Sequence, residues 1–395
     1  MATVRTGNLD LKDYLILLTL KQQPRLSNAK IAERVGVAPE TVRLRVRALK
    51  ERKILRPDRR INDPLLGERT QTEIEAAYLP SRLGLVRHHV LFSEIDTRDK
   101  LNALKQLCDV HPHTHYRVVA FGRCAALYTQ FDLPPRGEST IKKLYDEVEA
   151  RGLCAKYMLV DSRYVSGGEA DLERWDIKRS DWDITYGRKS AIGTRLSRVE
   201  ALWADFIEDC PGNMPEDEKG VASEPFDALD LQLLRELTIN SKVNYKELSQ
   251  VYGKDPTTIS RRVDRIREKF APLDVLYYDR SVFDLTYPQI IAGRFRPNDE
   301  LNARTFHWFL QSGRMPFETK GVTNGSDFIL FTMTPPSFAP ELSEFFWEHT
   351  EHVEIFQLQL DSSYTYFFYH ENWFPEAGWR VDEEYMVNGP LSEIE

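Results

Sequence analysis

Residues 26–55 read LSNAKIAERVGVAPETVRLRVRALKERKIL, and two short helices separated by a glycine are written into them. Ser27 or Asn28 is placed to cap a helix running to Val35, because a short polar side chain accepts from the free amides of a first turn. Gly36 supplies the turn, where a positive φ is called for. Pro39 suits the first turn of the next helix, since its missing N–H costs nothing there. In that helix Val42, Val46 and Leu49 recur at helical spacing and should face inward. Arg43, Leu44, Arg47 and Lys50 then point elsewhere, an arginine-rich face of the kind that enters a DNA major groove. Working outward, Leu9 to Lys21 is an apolar helix and the charged run Ile54 to Ile61 a candidate β-wing. Together these segments describe a winged helix-turn-helix.

The pattern occurs twice. Asp13 to Leu49 lies over Asp230 to Ile266 without a gap, with Asp13/Asp230, Leu17/Leu234, Leu20/Leu237, Gly36/Gly253, Pro39/Pro256, Thr41/Thr258, Arg45/Arg262 and Val46/Val263 identical. Repetition on this scale marks a duplicated structural unit. The segments after each copy repeat too. Strand-like Leu85 to Phe92, helical Arg98 to Cys108, strands Tyr116 to Phe121 and Ala125 to Phe131, helix Ser139 to Ala150 and strand Ala155 to Val160 give the order β-α-β-β-α-β. Ile290 to Phe295, Asn298 to Gln311, Glu318 to Val322, Phe328 to Thr334, Ala339 to His349 and Val353 to Leu360 give it again. That order is the ferredoxin-like pattern.

The expected fold class is therefore α+β. Winged helix-turn-helix units span 1–67 and 227–285, ferredoxin-like domains 80–165 and 286–370, with a linker at 166–226 and a tail at 371–395. Within the linker, Leu196, Val199, Leu202, Trp203 and Phe206 share one helical stripe, and Cys210 to Pro225 reads as a flexible acidic connection. Trp175 and Trp182 find rough counterparts in Trp373 and Trp379.

Charge distribution overrides net charge. The chain carries −8, yet Lys21 to Arg60 holds 13 basic and 4 acidic residues, a balance of +9. Asp230 to Phe270 holds 9 and 6, a balance of +3. Phosphate binding follows the local field, so a basic head on an acidic protein suits double-stranded DNA. The apolar run Tyr14 to Leu18 falls far short of a membrane span, and MATVRTGNLD has no apolar leader core. Four scattered cysteines without a C-x-x-C pair fit reduced thiols, and a cytoplasmic location is expected. No Gly-x-Ser-x-Gly, Walker-type loop or His-Glu-x-x-His is present, so no catalytic or metal-binding residue and no cofactor is expected.

The run at 26–55, with INDPLLG at 61–67 after it, resembles the winged helix and linker of Lrp/AsnC transcription regulators, and TTISRRV at 257–263 is similar to the same family. The resemblance implies two fused protomer-like units forming a sequence-specific DNA-binding regulator, not an enzyme. Arg43, Arg47 and Lys50, with Ser260, Arg261 and Arg265, would approach bases or phosphates, and Thr41 and Thr258 would contact phosphate. Arg45 and Arg262 pair either with phosphate or with an acidic residue of their own unit. The two reading faces differ: Arg43, Leu44 and Arg47 correspond to Ser260, Arg261 and Asp264, so unlike half-sites are expected. A small-molecule effector and self-association through the ferredoxin-like sheets are further partners that the resemblance implies. The effector residues stay unassigned, because Gly122-Arg123-Cys124-Ala125 lacks the acid of the family's turn and Gly325-Ser326-Asp327 is one residue shorter.

The alternative is a tetrapyrrole enzyme similar to siroheme decarboxylases, which look like paired chains of the same kind. His111-Pro112-His113-Thr114-His115 is the segment that would serve it; otherwise it reads as a surface loop. His88 and His89 read as half-buried strand residues, and Phe306, Trp308, Phe309, Phe345, Phe346 and Trp347 as aromatic packing against the second sheet.

Overall fold

The computed structural model describes residues 9–161, 164–184, 197–213 and 224–394. Both heads form as their caps dictate. Asp10 accepts from the Asp13 amide to start helix Leu11–Gln22, and Ser27 caps Asn28–Val35. Gly36 ends that helix at φ +70°, and Pro39 opens the recognition helix Pro39–Glu51. The second head repeats the plan with Ala228–Ile239, Tyr245–Tyr252, Gly253 at φ +61° and Pro256–Lys269.

The wing lies further along than expected. Ile54 and Leu55 are buried in the core, and the hairpin pairs Arg59–Asp63 with Gly67–Gln71. No such hairpin succeeds the second recognition helix among the described residues. Strand Leu273–Leu276 comes instead and pairs antiparallel with Ile74–Ala77 of the first half.

The two βαββαβ units merge into one nine-stranded sheet. Its order is Lys156–Asp161, Val86–Ile95, Ala125–Leu133, Thr114–Phe121, Thr350–Thr365, Tyr287–Phe295, Asp327–Thr334, Glu318–Thr323 and Tyr164–Gly168. The join is the antiparallel pair Gln357↔Phe121, Leu358↔Ala120 and Gln359↔Val119. Gly122 borders that join, where a Cβ would come within 2.7 Å of the Ile355 carbonyl oxygen. The sheet's inner face packs on itself: Leu91, Val118 and Tyr128 share one buried cluster with Ile290, Ile329 and Leu358. The sheet faces that were expected to serve self-association thus meet within a single chain.

The halves also exchange their tails. Trp182 donates its indole N–H to the Phe283 carbonyl at 2.8 Å, and Trp379 donates to the Leu83 carbonyl at 3.1 Å. Leu83 and Phe283 occupy matching short 3-10 turns, so each half's tryptophan closes on the other half. The heads do the same. Leu234, Leu237 and Val263 of the second head pack with Ala76 and Leu83, while Leu17 and Leu20 of the first share a core with Leu276 and Phe283. Helix Arg198–Ile207 is a packing element, its Trp203 ring 5.2 Å from Phe309 and 5.5 Å from Phe345. Of the acidic connection read at Cys210 to Pro225, residues 214–223 lie outside the described residues. Trp347 departs from the expected packing and stands 67% exposed. Among the described residues no helix is long and apolar enough to cross a membrane.

Candidate nucleic-acid interface

On the first recognition helix Val42 and Leu49 are buried, which turns Arg43, Leu44 and Arg47 outward. Arg43 pairs with Glu40 one turn back at 2.5 Å, and Arg47 with Glu51 at 2.8 Å. Both pairs are open to solvent and contribute little to stability, so either guanidinium can exchange its carboxylate for a phosphate. Thr41 is half-buried beside them. The wing adds Arg59 and Arg60, both exposed, which sequence reasoning left out of the site.

Other residues expected at the interface are committed elsewhere. Arg45 reaches Asp10 and Asp13, each at 2.7 Å. Lys50 lies between Asp58 at 2.6 Å and the buried Glu73 at 2.7 Å. Burial opposes the charge on Lys50, yet the two carboxylates outweigh it and raise its pKa.

The second recognition helix starts at Asp255, whose side chain accepts from the Thr257 amide at 2.8 Å. Ile259, Val263 and Ile266 are buried, leaving Arg261 and Asp264 exposed and Thr258 and Ser260 half-exposed. Arg261 has no ion-pair partner among the described residues. Arg262 is held by Asp227 and Asp230, both at 2.8 Å. Arg265 contacts Asp230 at 3.1 Å and lies over the Phe270 ring. Those two arginines thus turn toward the start of helix Ala228–Ile239, away from the reading face.

A second polar site sits where the first ferredoxin-like unit meets the C-terminal tail. The segment read as a surface loop is buried, with His111 and His113 at 1% and 5% exposure. The tail covers it: Asn372 donates to the Pro112 carbonyl at 2.6 Å, and His113 Nε2 meets the Arg380 carbonyl at 2.9 Å. His88 and His89, expected to be half-buried, are likewise buried. A narrow cleft is lined there by Tyr78, His113, His115, Asp132, Tyr369 and Trp379 among others. Arg87 binds Asp132 through both Nε and Nη2 at 2.7 Å, and the Tyr78 hydroxyl donates to the same carboxylate. Burial alone would raise the pKa of Asp132, but Arg87, His115 and Tyr78 hold it down at about 2. Burial pushes His115 and His89 down to about 3, with Arg87 adding to the effect. Alternating histidines were the sequence signal for this site; the tail that buries them was not legible. Among the described residues no group of three histidine, cysteine or acidic side chains is arranged to hold a metal ion.

The AsnC-type helix-turn-helix domain matches residues 9–50 and again 226–267. The chain therefore carries two AsnC-type helix-turn-helix domains, one in each half. The crystal structure of the siroheme decarboxylase NirDL aligns with 88% of this chain and 91% of its own length, at 12% identity and a TM-score of 0.44. AsnC of E. coli aligns with 39% of this chain and 91% of its own, at 18% identity and a TM-score of 0.28. A transcriptional regulator from Neisseria meningitidis in complex with L-Met aligns with 39% of this chain and 89% of its own, at 19% identity and a TM-score of 0.29. No curated protein matches the chain. The alignment spanning most of both chains is to an enzyme, and it overturns the expectation that this chain is not one.

Proposed function

We propose that the chain is a sequence-specific DNA-binding regulator whose two fused heads read two unlike half-sites. One observation carries the reading: two AsnC-type recognition helices on one interlocked body turn different side chains to solvent. The first offers Arg43, Leu44 and Arg47, the second Ser260, Arg261 and Asp264. Arginine forks suit guanine edges, and an exposed leucine suits a thymine methyl. Two heads joined in one chain bind the second half-site as an intramolecular event. Thr41 and Thr258 contact phosphates at the helix starts, while Arg45, Lys50, Arg262 and Arg265 shape the heads from behind. A small-molecule effector remains part of the proposal, without assigned residues.

Selection of duplexes from a random pool tests this, with Arg43→Ala/Arg47→Ala and Arg261→Ala run in parallel. Two unlike half-sites about one helical turn apart, each lost with its own variant, support the reading. Salt-sensitive binding without enrichment contradicts it.

The second reading is a tetrapyrrole enzyme built on this fold, and the imidazole of His115 at the narrow cleft is the side chain that would serve it. Titration with an iron tetrapyrrole, monitored by absorbance, tests it. A spectral shift lost in His115→Ala supports the site, and an unchanged spectrum removes it.

A further inference from the structure

The first helix of the second head carries adjacent charges, Arg235 and Glu236, where the aligned positions of the first head are Leu18 and Thr19. Both are buried, at 1% and 3% exposure, and both are directed at the wing of the other head. Arg235 sets Nη2 2.8 Å and Nε 3.2 Å from the two carboxylate oxygens of Asp63. It also donates to the Phe368 carbonyl at 2.6 Å and lies over the Tyr369 ring. Glu236 receives Nε and Nη2 of Arg69, each at 2.8 Å, and the Tyr252 hydroxyl at 2.9 Å. Asp63 is itself fixed, since its Oδ1 accepts from the amides of Leu65 and Leu66 at the wing tip.

Stability alone gives little reason for such a pair. A buried ion pair is often no better than an apolar replacement of similar size, and the first head manages with leucine. What a guanidinium fork adds is direction, because both bonds hold only at one mutual orientation. The wing of the first head cannot shift over the second head without breaking both forks.

We infer that Asp63–Arg235, backed by Arg69–Glu236, is a positioning pair that fixes the angle between the two reading helices. It thereby sets the half-site spacing the protein accepts. The inference rests on the two-headed reading proposed above, and it names the device that makes the spacing strict.

The test uses the full chain and duplexes in which the two selected half-sites are moved apart or together one base pair at a time. Asp63→Leu/Arg235→Leu removes both charges at once, so neither is left unpaired, and it releases the Leu65 and Leu66 amides and the Phe368 carbonyl. Arg235→Lys keeps the charge and loses the fork. Wild type should prefer one spacing over its neighbours by about tenfold, the scale of one mismatched base pair. Either folded variant should flatten that preference to within about threefold while keeping its affinity for an isolated half-site. A merely structural role would lower the melting temperature and leave the spacing preference intact. Folded variants that retain the full wild-type preference overturn the inference, as does a wild type that accepts all spacings equally. A wild type that binds neither half-site contradicts the two-headed reading itself.

Discussion

Arg45 and Asp13 meet at 2.7 Å in the first head, and their aligned counterparts Arg262 and Asp230 meet at 2.8 Å in the second. All four positions are identical between the copies because each pair ties the recognition helix to the first helix of its own head. The carboxylates are buried, at 6% and 2% exposure, so each needs its cation. Replacing Arg45 or Arg262 by alanine should cost about 1–3 kcal/mol, the penalty of under-satisfying a buried acceptor. Urea unfolding measures it. A loss of DNA affinity at unchanged stability would contradict this assignment.

Salt titration separates the reading arginines from the structural ones. Each phosphate contact contributes about 0.9 to the slope of log affinity against log salt. Arg43→Ala/Arg47→Ala should lower the slope by at most about 2 and Arg261→Ala by at most about 1, the full change marking guanidiniums that meet phosphate and a smaller one those on base edges, whereas Arg45→Ala leaves it unchanged. Equal slopes for all variants would place the phosphate contacts elsewhere.

The buried imidazoles make stability fall with acid. His89 and His115 sit near 3 in the fold, against about 6.5 in an unfolded chain. Between those values the unfolded chain binds more protons, so their contribution is complete above about pH 6.5 and lost as pH drops. Tyr78, Arg87, Asp132 and Lys320 face His115, and Asp132, at about 2, stays ionised throughout that window. Each imidazole should cost about 2 kcal/mol between pH 6.5 and pH 5. Stability that does not change between pH 7 and pH 5 would contradict the burial of these rings.

Thiol labelling reports the same cores. Burial pushes Cys108 and Cys154 up to about 12, whereas Cys124 is exposed. Cys124 should react rapidly in the native protein, and Cys108 and Cys154 only on unfolding. Rapid native labelling of Cys108 would show that the first ferredoxin-like core is open.

Much of this was legible in the chain because it is local. Gly36, Pro39 and their counterparts Gly253 and Pro256 place the turns and helix starts, and the strand-like run Leu85 to Phe92 falls on the strand Val86–Ile95. What failed depends on contacts distant in sequence. The wing slipped because Leu55 is claimed by a bridge to Tyr278, and the histidine segment is buried by a tail more than two hundred residues downstream. Lys50 and Arg265 carry the right charge at the right spacing, but the acids that claim them, Glu73 and Asp230, fold in from other elements. One overlooked signal was available: Arg235-Glu236 within the apolar run LDLQLLRELTI, where the first copy has Leu18-Thr19.

On the proposed reading one polypeptide reads two half-sites with two different heads. Hydroxyl-radical footprinting on a selected duplex, with the mass of the complex measured in the same buffer, tests it most directly. The predicted result is protection centred on two successive major grooves by a single 45.9 kDa chain, with one patch lost in Arg43→Ala/Arg47→Ala and the other in Arg261→Ala. Protection of one groove only, or two chains on each duplex, would contradict it.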